Sequence, residues 1–142
     1  MPAFDSLGAM GDLNTISSHF GPKETVDRLE TEIQAKGMKV FARIDHAAGA
    51  AEVGLTLRPT ELIIFGNARG GTPLMQPNQT VGIDLPLKAL VWQDDQGAVW
   101  LTYNSAEYLG TTIYPRHGLS MPPEARQALE QLLSEVSDQS TK

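Results

Sequence analysis

No cysteine occurs among the 142 residues, which excludes disulfides, thiolate metal ligands, iron–sulfur ligation and a cysteine nucleophile. Long apolar runs are missing too. The longest run of strongly apolar residues is Leu62 to Phe65, far short of the roughly 18 residues that span a bilayer, and the N-terminus lacks a basic start followed by an apolar stretch. Basic charge is scarce: eleven Lys and Arg against seventeen Asp and Glu leave a net charge of −6, which repels phosphate backbones. Neither nucleic acid nor a membrane is an expected partner. Catalytic signatures are equally thin, with no Gly-x-Ser-x-Gly elbow and no Gly-Lys-Ser or Gly-Lys-Thr phosphate loop.

What is present suits one compact domain. Apolar residues make up 41% and charged residues 20%, enough for a core without a metal or disulfide. Residues 1–13, with glycines and acids, read as a flexible lead-in, 14–137 as the domain and 138–142 as a frayed tail. The chain is read as cytoplasmic, or periplasmic if a signal peptide was removed.

Asn14 to Ser18 is a short candidate strand. Gly21-Pro22 then opens a helix that carries Val26, Leu29 and Ile33 on one face and ends at Gly37. From Met38 the period becomes two: Met38, Val40, Ala42 and Ile44 alternate with Lys39, Phe41, Arg43 and Asp45, as in a half-buried strand. His46 to Val53 reads as a short alanine-rich helix, and Glu61 to Phe65 as an interior strand. Thr72-Pro73 looks like the cap and first residue of a short helix through Met75, followed by loop from Gln76 to Pro86. Lys88 to Gln93 and Ala98 to Tyr103 flank Asp94-Asp95-Gln96-Gly97 as a β-hairpin. Ser105 caps a single turn, and Pro122-Pro123 opens a final helix with Ala125, Ala128, Leu129, Leu132 and Val136 on one stripe. The order gives an α+β fold, an antiparallel or mixed sheet with helices packed against it.

Several of these blocks, in order, are familiar. Val40-Phe41-Ala42-Arg43-Ile44-Asp45-His46-Ala47-Ala48-Gly49-Ala50, Arg58 through Asn67, Gly71 through Gln76, Asp84 through Trp92 and Val99 through Asn104 resemble the bacterial domain of unknown function 302 family. The resemblance implies a TATA-binding-protein-like β-α-β-β-β-β-α arrangement: a curved antiparallel sheet with helices on one side, often as a homodimer, with no established reaction. Tyr108 to His117 departs from the family pattern, which runs more directly from the Tyr-Leu pair to the Arg-His pair.

His46, at a strand-to-helix junction after Asp45, has the chemistry of a base, a ligand or an anion donor, and equally of a helix cap. His117 lies beside Arg116, and His46, His117 and Met75 together would form a copper-type set, though their spacing matches no metal motif. No metal or cofactor is therefore expected. Asn67 and Arg69, in a glycine-rich loop leading to a helix, could present donors to an anion or simply form a turn. Arg43, Lys88, Tyr103 and Asn104 lie on or beside strands, where they would line a concavity with His46 or form a wet sheet face. Trp92 and Trp100 would pair across the hairpin, where they would stabilise the sheet or cover a dimer surface.

The expected function is a homodimeric module that binds or senses a small, anionic ligand through Arg43, His46, Asn67, Arg69, Lys88, Tyr103, Arg116 and His117. Two alternatives stay open: a small enzyme with His46 as general base, and a protein-interaction module without ligand.

Overall fold

The computed structural model describes residues 11–142. Five strands form one open antiparallel sheet: β1 (Leu13–Ser18), β2 (Lys39–Asp45), β3 (Thr60–Gly66), β4 (Leu87–Gln93) and β5 (Val99–Asn104), in the order β1-β5-β4-β3-β2. The two long helices, α1 (Pro22–Ala35) and α5 (Pro123–Thr141), pack together on one face. Shorter pieces complete the chain: α2 (His46–Glu52), α3 (Ala68–Met75), a 3₁₀ helix over Gln79–Ile83, the single turn α4 (Ala106–Tyr108), a π-helix over Leu109–Ile113 and a 3₁₀ turn over Pro115–His117.

The period-two pattern sets which side chains enter the core. Ile63 and Phe65 of β3, Ala89 and Val91 of β4, and Val99 and Leu101 of β5 point to the helix side and are buried. They meet Val26, Leu29 and Ile33 of α1 and Leu133 and Val136 of α5 in one cluster. Gly37, at φ +78°, takes the left-handed conformation that closes α1 and turns the chain into β2. On the opposite face, the registers Ile44↔Leu62 and Leu62↔Leu90 align one apolar row across β2, β3 and β4.

The hairpin and the interior position of Glu61–Phe65 follow the sequence reading. Several boundaries differ. Met1 to Met10 of the expected lead-in lie outside the described residues, while Leu13 already belongs to β1, opposite Asn104. Helix α3 starts at Ala68, five residues before Pro73, because the Asn67 side chain caps it by accepting the Gly70 N–H at 2.6 Å. The segment Gln76–Pro86 contains the 3₁₀ helix, capped by Asn78. Helix α5 continues past Ser137, with Ser140 and Thr141 fully buried. Their hydroxyls donate to the carbonyls of Val136 and Ser137, at 2.9 and 2.8 Å, which makes burial of polar residues affordable. The Thr141 carbonyl also accepts the His19 N–H at 2.8 Å, pinning the helix end to the β1–α1 connection.

Candidate functional site

Two features stand side by side between α3, the 3₁₀ helix and the segment entering β4. The first is a cavity of about 360 Å³. Its walls are mainly apolar: Met38 and Phe41 from the start of β2, Leu74 and Met75 from α3, Leu85 and Leu87 before and in β4, Tyr114, and Leu129 and Leu132 from α5. Asn67 and Thr72 add the polar side chains, and Gly66, Gly70, Gly71 and Gly82 keep backbone close to the space. Burial pushes the Tyr114 phenol above its ordinary value, so it stays a neutral hydroxyl on this wall.

The second feature is a hydrogen-bonded cluster around His117, whose side chain is 7% exposed. Its Nε2 lies 2.5 Å from Asp84 Oδ2 and its Nδ1 lies 2.8 Å from the Thr80 hydroxyl. Arg116 clamps the same carboxylate, Nε to Oδ2 at 3.0 Å and Nη2 to Oδ1 at 2.8 Å. Asn78 closes the ring: its Nδ2 donates to the His117 carbonyl, and its Oδ1 lies 2.7 Å from the Thr80 hydroxyl. Burial alone would push the Asp84 carboxyl up. Hydrogen bonds from His117 and Arg116, with the Arg116 charge, outweigh it and hold the group below its usual range.

The residues singled out from sequence are spread over the molecule. Arg43 donates to Glu61 Oε2 at 2.8 Å through Nε, and to Asp27 at 2.9 Å and Glu30 at 3.2 Å through Nη1. The Glu61 bond is the main reason its guanidinium is held in the charged form still more firmly than usual; burial opposes this, and Asp27 and Glu30 reinforce it. Arg43 thus bridges β3 and α1. His46 is exposed at the first position of α2, and Asp45 spends its carboxylate as the α2 cap, accepting the Ala48 N–H at 2.9 Å. Arg69 is exposed on α3. Tyr103 is buried in the core; burial raises its phenol above the ordinary value, against the opposing influence of nearby Ser137 and Asn14.

Lys88 lies beside Asp84, Asn104 and Tyr114 in a narrow cleft next to the cavity. Only Arg116 and His117, among the expected contacts, form a tight cluster. Asn67 and Met75 line the cavity itself. Of the copper-type set, His117 has both ring nitrogens engaged by protein, and His46 is on another element. Among the described residues, no group of three or more His, Asp or Glu is arranged to hold a metal ion.

Asp84, Thr80 and Asn78 escaped the sequence reading. They reach His117 across 33 to 39 residues, inside what reads as loop, and no short motif joins them.

Comparison with known proteins gives a consistent placement. A family model described as "Domain of unknown function DUF302" matches residues 14–136. Proteins named "Fluoride-specific ion channel FluC 1" from Brucella suis biovar 1 and Brucella abortus biovar 1 are each 49% identical over 109 residues, which is 77% of this chain. The match covers 41% and 39% of those proteins, so the chain spans about two fifths of the length of the curated relatives it matches. The crystal structure of an uncharacterised conserved DUF302 protein from Bacillus stearothermophilus aligns with a TM-score of 0.74 at 22% identity. That alignment covers 92% of this chain and 98% of the other, and it shows the same fold.

Proposed function

The chain belongs to the DUF302 family, and from that premise we propose that it is a homodimeric binding module for a small, mainly apolar molecule held in the 360 Å³ cavity. The observation that carries this reading is the cavity's wall: aliphatic, thioether and aromatic side chains with a few polar groups, the composition of small-molecule sites. An apolar occupant replaces the anionic one expected from sequence, since Arg43 is committed to three carboxylates and Arg116 to Asp84. The test is a titration with 1-octanol followed by thermal unfolding. A saturable rise in melting temperature is expected, and its loss in Leu132→Trp, which fills the space. No rise at any concentration would end this reading.

The second copy belongs on the outer sheet face. Ile44 is 40% exposed in the apolar row with Leu62 and Leu90, and the arm after α2 carries Val53, Leu55 and Leu57 at 72, 66 and 46% exposure. Helix α2 itself buries no residue. A two-fold axis lets each arm cover the other chain's row, a self-complementary arrangement that closes at two copies. Light scattering should give twice the chain mass of 15.4 kDa, falling to one in Leu55→Glu. A single-chain particle in the wild type would contradict it.

A second reading starts from the relatives' name. No described helix here is long and apolar enough to cross a membrane, so in a protein named as an ion channel this part supplies something other than the membrane path. If the module serves fluoride handling, sodium fluoride shifts its melting temperature relative to sodium chloride. Identical curves in the two salts rule that out.

A further inference from the structure

The cluster beside the cavity has the arrangement of an activated nucleophile. Thr80 is exposed, with its hydroxyl 2.8 Å from His117 Nδ1, and the opposite ring nitrogen lies 2.5 Å from Asp84. A hydroxyl, a base within hydrogen-bond reach and a third group that orients the base are the geometric signature of covalent catalysis. We propose that Thr80 is an acyl-accepting nucleophile with His117 as its general base, acting on an ester whose apolar acyl chain occupies the cavity; this rests on the apolar-ligand reading above.

Tautomer logic supports the roles. Asp84 stays ionised because His117 and Arg116 hold it so, and an ionised carboxylate only accepts hydrogen bonds. In the neutral imidazole the single ring proton therefore sits on Nε2, which leaves the Nδ1 lone pair facing Thr80. The hydroxyl's single proton then has two acceptors in reach, Nδ1 and Asn78 Oδ1. Asp84 and Arg116 are positioning residues, since neither reaches the reacting oxygen.

The site also has a place for substrate. Thr80 shares an open concavity with Thr72, Met75, Gln76, Asn78 and Gln79, and Thr72 and Met75 line the apolar cavity as well. An acyl chain seated in the cavity therefore leads past Met75 to the Thr80 hydroxyl. In the step, the Thr80 oxygen bonds to the ester carbonyl carbon as its proton passes to His117 Nδ1. The carbon–oxygen bond to the leaving alcohol breaks, and that alcohol takes the proton back from Nδ1. The products are acyl-Thr80 and free alcohol, with no redox change and no further reactant.

The experiment uses p-nitrophenyl octanoate as the probe, with 1-octanol binding measured in parallel on the same variants. Wild type should release one equivalent of p-nitrophenolate per chain in a burst and carry the octanoyl mass on the Thr80 peptide. Thr80→Val should lose the adduct and at least about a hundredfold of the burst rate while keeping the 1-octanol shift. Thr80→Ser should restore the adduct, which a purely structural hydroxyl would not require. Asp84→Asn, in which the amide can donate to Nε2 and move the ring proton to Nδ1, should slow acylation and displace its pH profile. Retained 1-octanol binding with no adduct, or with the adduct on another residue, overturns the nucleophile and leaves the cavity reading standing. Loss of 1-octanol binding in wild type overturns both.

Discussion

The indole N–H of Trp100 donates to Asp94 Oδ2 at 2.9 Å, while Asp94 Oδ1 accepts the backbone N–H groups of Gln96 and Ala98, each also at 2.9 Å. One carboxylate thereby ties the β4–β5 turn to the strand that leaves it. The turn then sets the register that places Trp92 opposite Trp100, with ring centroids 6.2 Å apart.

Acid should weaken this tie. The bond from Trp100 is the largest influence on the Asp94 carboxyl, and with the two backbone N–H bonds it outweighs burial and holds the group below its ordinary value. A folded-state value under the unfolded one contributes stability that is complete above the unfolded carboxylate range and is lost as pH falls through the folded value. Asp84 acts in the same direction. Urea midpoints measured from pH 7 down to pH 2 should therefore fall below about pH 4, and less steeply in Asp94→Asn than in wild type. A pH-independent midpoint would show that neither carboxylate is held ionised by the fold.

Adjacent glycines in α3 should respond with opposite signs. A Cβ on Gly71 would meet only Met75 Cε at 3.8 Å and Leu85 Cδ1 at 3.9 Å, ordinary contact distances. Gly71→Ala should stabilise by about 0.5–1 kcal/mol through helix propensity. A Cβ on Gly70 would stand 3.2 Å from Asn67 Oδ1, the oxygen that caps the helix, so Gly70→Ala should lose stability. Thermal melts of the two variants check the sign difference.

Core truncation on the helix side of the sheet should be costly. Leu29 is 1% exposed within the cluster shared by α1, α5 and the sheet. Leu29→Ala should cost about 2–5 kcal/mol, read from denaturant midpoints at unchanged slope.

Removing Arg43 should expose the repulsion it screens. Arg43→Met leaves Asp27, Glu30 and Glu61 facing one another without their shared cation. A loss of about 1–2 kcal/mol is expected, moderated by partial exposure of the network, and it should shrink in 1 M sodium chloride. A deficit indifferent to salt would mean that packing of the Arg43 stem, not its charge, holds β2 to α1.

Short-range signals in the sequence were enough for the strands and the two long helices. Val26, Leu29 and Ile33 recur at helical spacing, Ile63 and Phe65 face inward by strand alternation, and Asp94 to Gly97 forms a compact turn. The end of α5 was misread because the hydroxyls of Ser140 and Thr141 look like tail chemistry until they fold back on the helix's own carbonyls. The start of α3 was misread for a related reason: Thr72-Pro73 offers the more obvious cap and first turn, yet Asn67 takes the role five residues earlier. Arg43, His46 and Tyr103 stand out by residue type and by their place in the expected elements. Type does not reveal that Arg43 has three acidic partners or that Tyr103 is buried in the core. The His117 cluster depends on contacts across more than thirty residues, which local pattern cannot supply.

The π-helix over Leu109–Ile113, marked by the Tyr114 N–H donating to the Leu109 carbonyl five residues back, sets the angular phase at which the chain arrives at His117. If the wide turn persisted, excising one residue from that stretch, Thr111 for instance, would swing everything downstream by about 100°. The imidazole would then face away from both its carboxylate and its hydroxyl, although no residue that touches them had been changed. The length of this segment, more than its composition, is what an insertion or deletion would rewrite.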